Sequence, residues 1–417
     1  MTILIRNVKL LDKEGLFDIL VKGQYIKNIA PRLEDADAII VNGQGCLAMP
    51  GLVNTHTHAA MSLLRGYADD MPLMSWLNDK IWPAEARLND DFVYWGTMLA
   101  ALEMIKSGTT CFADMYMHLD ATAKAIEDSG LRASLSDVLF NEEILAKQPD
   151  NIEKWQGAAE GRIKIMLGPH SLYACQPKLL QDTVKMAQKL DTGIHIHLAE
   201  TLDEENIIRE RYNMRPVAFA KHLGLLDQPL IAAHMVHIND SDIMLMQPYL
   251  EYISVVNNPC SNMKLVSGGA PVVRMAEAGL NITIGTDGAS SNNSLDMFHE
   301  IKVSALLNKL QSGQPTVFSA AEVLNIATIN GSKACLFDKT GRMQEGYKAD
   351  IILVDLQKPH LCPCHNMASQ LVYAASGQDV KTTIVDGRIL MQDYKMTMLD
   401  EEKIMSEASR CAYQMTA

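Results

Sequence analysis

Eight short apolar runs, each closing on polar residues, most limit the folds open to this chain of 417 residues. They read "GLVNTHTH", "TTCFADMY", "LRASLSDVLF", "IKIMLGPHS", "GIHIHLAE", "LIAAHMVH", "YISVVNNP" and "NITIGTDG". Nearly continuous apolar character marks strands buried on both faces, as in a parallel sheet. Helix-like stretches separate most of them, for example 88–107, 206–222, 269–279 and 295–311. Such a series predicts an α/β protein with a (β/α)8 barrel over residues 53–339; a doubly wound sheet is the alternative. His56, His58, His170, His197, His234 and Asp287 all fall at the C-terminal ends of runs. In a barrel that end is the active-site face.

The two ends of the chain read differently. Short strands punctuated by Gly, Asn and Asp fill the first fifty or so residues and return in "DIILVDL" and "VKTTIVDGRILMQD". They predict a small β-sandwich assembled from 1–52 and 340–417. Charge narrows the partners: 37 Lys and Arg against 50 Asp and Glu give −13. A chain this acidic repels phosphate backbones and anionic membranes, so nucleic acid and membrane are not expected as partners. No apolar run reaches the roughly 18 residues of a membrane span, and "MTILIRNVKLLDKEG" lacks a signal-peptide pattern, so the cytoplasm is the expected compartment. The eight cysteines are scattered and expected to be reduced. The cluster "PHLCPCHN" has no second pair at zinc-ribbon spacing and reads as a surface loop. A homo-oligomer is left open.

On a strand, residues two apart point to the same side, so His56 and His58 of "NTHTH" point together. Two imidazoles there can share a divalent cation, although His-x-His alone is a weak signal. Further candidates lie in "HIHLAE" (His195, His197, Glu200) and in "GTDG" (Asp287). By strand parity either His195 or His197 could join the pair. Three histidines and one aspartate would leave a position open for water, whose pKa a bound metal lowers.

These motifs, together with "NNPCSNMKLVSGGAPV" and "GTDGASSNNSLDMF", resemble the amidohydrolase superfamily of metal-dependent hydrolases. "HAAMSLLRGYADDMPLMSWL" and "GPHSLY" narrow the resemblance to the methylthioadenosine/S-adenosylhomocysteine deaminases, over about residues 45–380. The resemblance implies His56, His58, His197 and Asp287 as ligands of one divalent metal, zinc in preference to iron(II). It selects His197 over His195 through the His-x-x-Glu pattern, leaving His195 as a packed residue one layer deeper. The metal-bridging lysine of binuclear relatives has no counterpart, since Lys164 lies too early in its strand. Glu200, His234 and Asp287 are implied as proton-transfer groups, with Glu200 also facing the substrate. Glu85 would bind the ribose hydroxyls, Trp76 would form an apolar wall, and His170 would contact the base.

The resemblance thus implies hydrolytic deamination of the adenine ring in adenosine, 5′-deoxyadenosine, 5′-methylthioadenosine or S-adenosylhomocysteine. Guanine, pterin or chlorotriazine substrates are the alternative. Asp137, near the end of the third run, is expected where relatives that favour S-adenosylhomocysteine place an arginine, with Arg65 and Arg132 as nearby cations. That departure predicts a preference for uncharged 5′ substituents. Asn258, Ser261, Asn262 and Lys264 are read as a loop shaping the site, and His118, His222, His237 and His299 as structural or surface residues.

Overall fold

Strands of the chain sort into two sheets with different neighbours. The computed structural model describes residues 1–71 and 73–417. Five N-terminal strands come first: β1 (Thr2–Leu10), β2 (Lys13–Lys22), β3 (Tyr25–Ala30), β4 (Ile39–Asn42) and β5 (Cys46–Pro50). Next are β6 (Leu52–Thr57), β7 (Thr109–Tyr116), β8 (Arg132–Leu139), β9 (Ile163–Pro169), β10 (Ile194–Leu198), β11 (Leu230–His234), β12 (Ile253–Asn257) and β13 (Asn281–Ile284). These eight pair in sequence order, every pair parallel, with helices on the connections. The last four are β14 (Ile351–Asp355), β15 (Val380–Val385), β16 (Arg388–Gln392) and β17 (Lys395–Met396). They join β1–β5 in one sheet of order β17-β16-β15-β14-β5-β1-β2-β3, with β4 beside β1.

The terminal sheet follows the two-residue period. Cys46, Ala48, Ile351 and Leu353 face a small core of the sheet's own, shared with Ile3, Ile5 and Ile19. Their neighbours Leu47, Met49, Ile352 and Val354 face the main core with the barrel strands. Successive residues of β5 and β14 therefore serve two cores, and the sheet is fixed to the barrel by apolar burial. The final helix, Glu401–Thr416, turns the other way. It packs Ile404 against Met98 and Leu102 of the barrel helix Asp90–Lys106, although it lies within the 340–417 stretch assigned from sequence to the terminal β unit.

The barrel interior is layered. Val53, Cys111, Ala113, Met166, Ile231 and Val256 meet Ala334, Cys335 and Phe337, which plug the floor. Arg132, 1% exposed, anchors this end by donating to Asp350 and Asp386 at 2.8–3.1 Å. It joins the barrel to the terminal sheet and stacks over the Phe337 ring at 5.0 Å. Such a buried cation is also what keeps two buried carboxylates tolerable.

Side chains close the barrel where β13 meets β6. Thr55 Oγ1 donates to the Ile284 carbonyl at 2.8 Å, and Thr57 Oγ1 to the Asp287 carbonyl at 2.9 Å. Asn54 donates to Thr286 Oγ1 and accepts from Thr286 N, at 2.7 and 2.9 Å. Gly285 is required there: a Cβ would lie 2.6 Å from His56 N and 2.7 Å from His56 O.

Replacing Arg132 by Met leaves Asp350 without its cation, and stability should fall by about 3–5 kcal/mol, the usual cost of breaking a buried pair. A urea midpoint close to that of the unmodified protein, at equal slope, would show that the network contributes little.

Candidate active site

Several barrel strand ends deliver polar side chains to one point. β6 and the residue after it bring His56 and His58; β10 brings His195 and His197 on the face opposite to Ile194, Ile196 and Leu198, which pack outward. His234 falls on the outward parity of β11 with Leu230 and Ala232. Its left-handed backbone (φ 75°) breaks the alternation and turns its ring inward, 5.3 Å from that of His56. Asp287 (φ 64°) and Ala199 (φ 53°) share this conformation. Non-glycine residues adopt it at a cost of roughly 1–3 kcal/mol, and such positions cluster at functional sites.

The result is a knot of donor atoms. His58 Nε2 lies 3.3 Å from His197 Nε2 and 3.3 Å from Asp287 Oδ1; His56 Nε2 lies 3.6 Å from the same oxygen. Donors bound tetrahedrally to zinc at its usual bond lengths sit about 3.3–3.5 Å apart. His56 Nε2 is buried and has no hydrogen-bond partner, an orphan that a cation would satisfy. The three imidazoles and one carboxylate therefore fit a divalent metal of zinc type.

Around these four stands a layer that fixes each ring. His58 Nδ1 donates to the Met115 carbonyl at 2.5 Å and His197 Nδ1 to the His170 carbonyl at 2.8 Å, so both Nε2 atoms are turned to the centre. His56 Nδ1 is 2.8 Å from His195 Nε2. The packed residue expected at 195 is thus the hydrogen-bond partner of a candidate ligand, legible from its shared face with His197 but not from the His-x-x-Glu pattern. Asp287 Oδ2 accepts from Ser261 at 2.6 Å, and Asp114 fixes the turn after His58 by accepting from Ala59 N at 2.6 Å. Burial holds the His56 and His197 imidazoles well below their usual value, and so neutral, as metal ligands must be. Burial alone would raise Asp287, but hydrogen bonding to His58 and the charge of that imidazole hold it well below the ordinary carboxylate range.

Glu200 and His234 stand beside the donor set. His234 Nε2 is 3.9 Å from Glu200 Oε2, and its Nδ1 is tied to Asn262 Oδ1 at 2.9 Å. Burial pushes the Glu200 carboxyl up, so that it can hold a proton. Ser267 Oγ faces Glu200 Oε1 at 3.5 Å, and His237, read from sequence as structural, fixes the Ser267 carbonyl at 3.0 Å. Behind Glu200, buried Glu204 accepts from both Ala199 N and Glu200 N, at 3.1 and 2.9 Å. Thr201-x-x-Glu204 resembles a helix capping box, yet the glutamate reaches past the cap to grip the turn that carries Glu200. In "NNPCSN" the polar residues hold three different groups. Asn258 accepts from His234 N, Ser261 holds Asp287 and Asn262 holds His234. Lys264 lies at the rim, bonded to Asp69 and Asn293.

A cavity of about 280 Å3 opens above, reached by His58, His170, His197, Glu200, His234 and Asp287. Its walls include Trp76, Glu85, Met61, Met117, Val138 and Phe140, and the Phe140 and His170 rings stack at 5.1 Å. Asp137 does not enter it. It shares the outward face of β8 with Leu135 and Leu139 and accepts from Gln148 Nε2 at 3.1 Å. Neighbouring Val138 points in, so the charge expected at this wall gives way to an apolar side chain. Arg132 and Arg65 are also elsewhere, the first at the floor and the second on Glu103 and the Asn293 carbonyl.

Residues 47–390 match the model of the amidohydrolase family. The chain belongs to that family. A 5′-deoxyadenosine deaminase of Methanosarcina acetivorans is 50% identical over 92% of this chain and 90% of its own. A 5-methylthioadenosine/S-adenosylhomocysteine deaminase of Carboxydothermus hydrogenoformans is 45% identical over 100% and 99%. Among solved structures, an adenosine deaminase from Xanthomonas campestris with bound zinc superposes with a TM-score of 0.94 at 32% identity, covering 99% and 98% of the chains. Within this amidohydrolase, no helix among the described residues is long and apolar enough to cross a membrane.

Partners that orient ligating histidines set metal affinity by about 10- to 100-fold. His195→Ala should therefore lose zinc to a competing chelator at correspondingly lower chelator concentration. Unchanged affinity would reduce His195 to a packing residue.

Proposed function

We propose that this amidohydrolase deaminates the adenine ring of 5′-substituted adenosines by hydrolysis, with one divalent metal, zinc in preference to iron(II), held by His56, His58, His197 and Asp287. The observation that carries the reading is one cavity lined both by His58, His197, Asp287 and Glu200 and by the carboxylate of Glu85. A carboxylate suits a vicinal diol, because it accepts from both hydroxyls. That favours a ribosyl purine over the free guanine, pterin or triazine rings of the alternative reading. The names of the closely similar relatives support the same chemistry.

When bound, the metal would polarise a water and lower its pKa. The chain's residues move the protons. Water oxygen adds to C6 and the C6–N bond breaks; of the two protons of the water, one ends on ring N1 and one leaves with ammonia. Glu200, buried and so able to hold a proton, delivers one proton to N1 and carries a second, released from the hydroxyl on C6, to the departing amine. The proton taken from the attacking water restores it. His234 Nε2, its Nδ1 occupied by Asn262, can accept from the attacking water, with Asp287 as a second acceptor. His170, on the cavity wall beside His197, contacts the base, and Trp76 covers it.

The cavity also bears on the 5′ substituent. Met61, Trp82, Met117, Val138 and Phe140 line it, and no Lys or Arg does so among the described residues. A methylthio or methyl group gains burial there, roughly 25 cal/mol per Å2 of apolar surface. The homocysteine carboxylate of S-adenosylhomocysteine meets no cation among those residues. Methylthioadenosine or 5′-deoxyadenosine should therefore exceed S-adenosylhomocysteine in kcat/KM, measured by the loss of adenine absorbance; the reverse order would overturn the apolar-tail reading.

Glu200→Gln should keep its zinc and lose about 100-fold or more in kcat, the scale of a positioned acid–base group. Near-normal turnover with metal retained would remove Glu200 from proton transfer.

A further inference from the structure

Glu85 is supplied by an unusual piece of chain. It closes the short helix Trp82–Glu85, in the long connection between β6 and the helix Asp90–Lys106. A side chain on such a connection is less well placed than one on a barrel strand, and a contact that reads a diol needs placement within a fraction of an ångström. Among the described residues, one polar side chain of the barrel strands is hydrogen-bonded to Glu85. Tyr116 Oη donates to Glu85 Oε1 at 2.7 Å. Tyr116 ends β7, is 4% exposed, and has its backbone in register with Asp137 of β8. Tyr116 and Glu85 both line the cavity.

From this geometry we infer that Tyr116 is a positioning residue for substrate recognition: its phenol holds Glu85 Oε1, so that Oε2 is presented to the ribose hydroxyls. The inference rests on the nucleoside reading above and adds to it the group that makes the ribose contact selective. The phenol is well suited to this role. Burial raises its pKa well above the usual value, with Glu85 adding to the effect, so it remains a donor across the working pH range. A fixed donor on one oxygen removes the carboxylate's freedom to rotate, which a substrate would otherwise have to immobilise on binding. The Tyr116 hydroxyl is bonded to Glu85 and not to a metal ligand, so its loss should be felt in binding rather than in the chemical step.

The test pairs a small change in the protein with a small change in the substrate. Tyr116→Phe keeps the buried ring and removes one oxygen. With 5′-deoxyadenosine the variant should show KM raised about tenfold at nearly unchanged kcat, the scale of one hydrogen bond to a charged group. With the 2′,3′-dideoxy analogue, which lacks the diol, variant and unmodified protein should have equal KM. In a Glu85→Gln background, Tyr116→Phe should add little, because both changes remove the same contact. Equal losses on both nucleosides would mean that the phenol only supports the fold, and no loss on either would mean that Glu85 is placed without it; each overturns the inference. Failure of the nucleoside reading would look different. The unmodified protein would then turn over neither nucleoside, or would not distinguish the diol from its absence.

Discussion

The seam between β6 and β13 is the constraint on which the site depends. Here barrel closure relies on Asn54, Thr55 and Thr57 reaching across to the 283–287 segment, with Gly285 allowing the backbones to approach. The same closure carries Asp287 to His56, whose carbonyl accepts from Asp287 N at 2.9 Å. First and last strands of the barrel are remote in sequence, so no local propensity could bring these groups together. Hydrogen bonds that close the barrel also complete the donor set, and stability and site geometry are set by one set of contacts.

Concentrating several imidazoles and carboxylates in the mouth of a barrel is electrostatically costly unless each is neutralised or bonded. The protein does both. Burial keeps His56 and His197 neutral, while carbonyls, amides and hydroxyls from adjoining loops take up the outward-facing atoms of the functional groups. Strand ends thus contribute twice, once with a side chain aimed at the centre and once with a group that steadies a neighbour. Glu204 extends this pattern by holding the backbone of the turn that bears Glu200. Ser267 and His237 do so from the loops beyond β12 and β11.

The cavity above separates two kinds of wall. Barrel strands and their ends supply Tyr116, Val138 and His170, whose directions follow from the sheet, whereas Trp76, Trp82 and Glu85 come from the connection after β6. The groups nearest the donor set are therefore built on rigid elements, and the outer wall on a connection braced against them. Connections vary more freely than strands, which fits a family whose members share a barrel and differ in substrate.

Eight apolar runs with polar ends determined the barrel, because burial on both faces leaves parallel strands little choice of residue. The strand-end histidines and Asp287 could be located from sequence for the same reason: polar residues that close such apolar runs stand out against them. The choice of His197 over His195 came from a motif, and the structure gave His195 its own hydrogen bond to His56. Tertiary structure alone decided where side chains turn. Parity sends Asp137 outward to Gln148 and Val138 into the cavity, and a left-handed φ sends His234 inward against parity. It alone also revealed Tyr116 and Glu204, since a tyrosine ending a strand or a glutamate in a first helical turn looks ordinary until its partner is known. Sequence determines which residues lie on which face of an element; the partners across space depend on how the elements pack, and those partners complete this site.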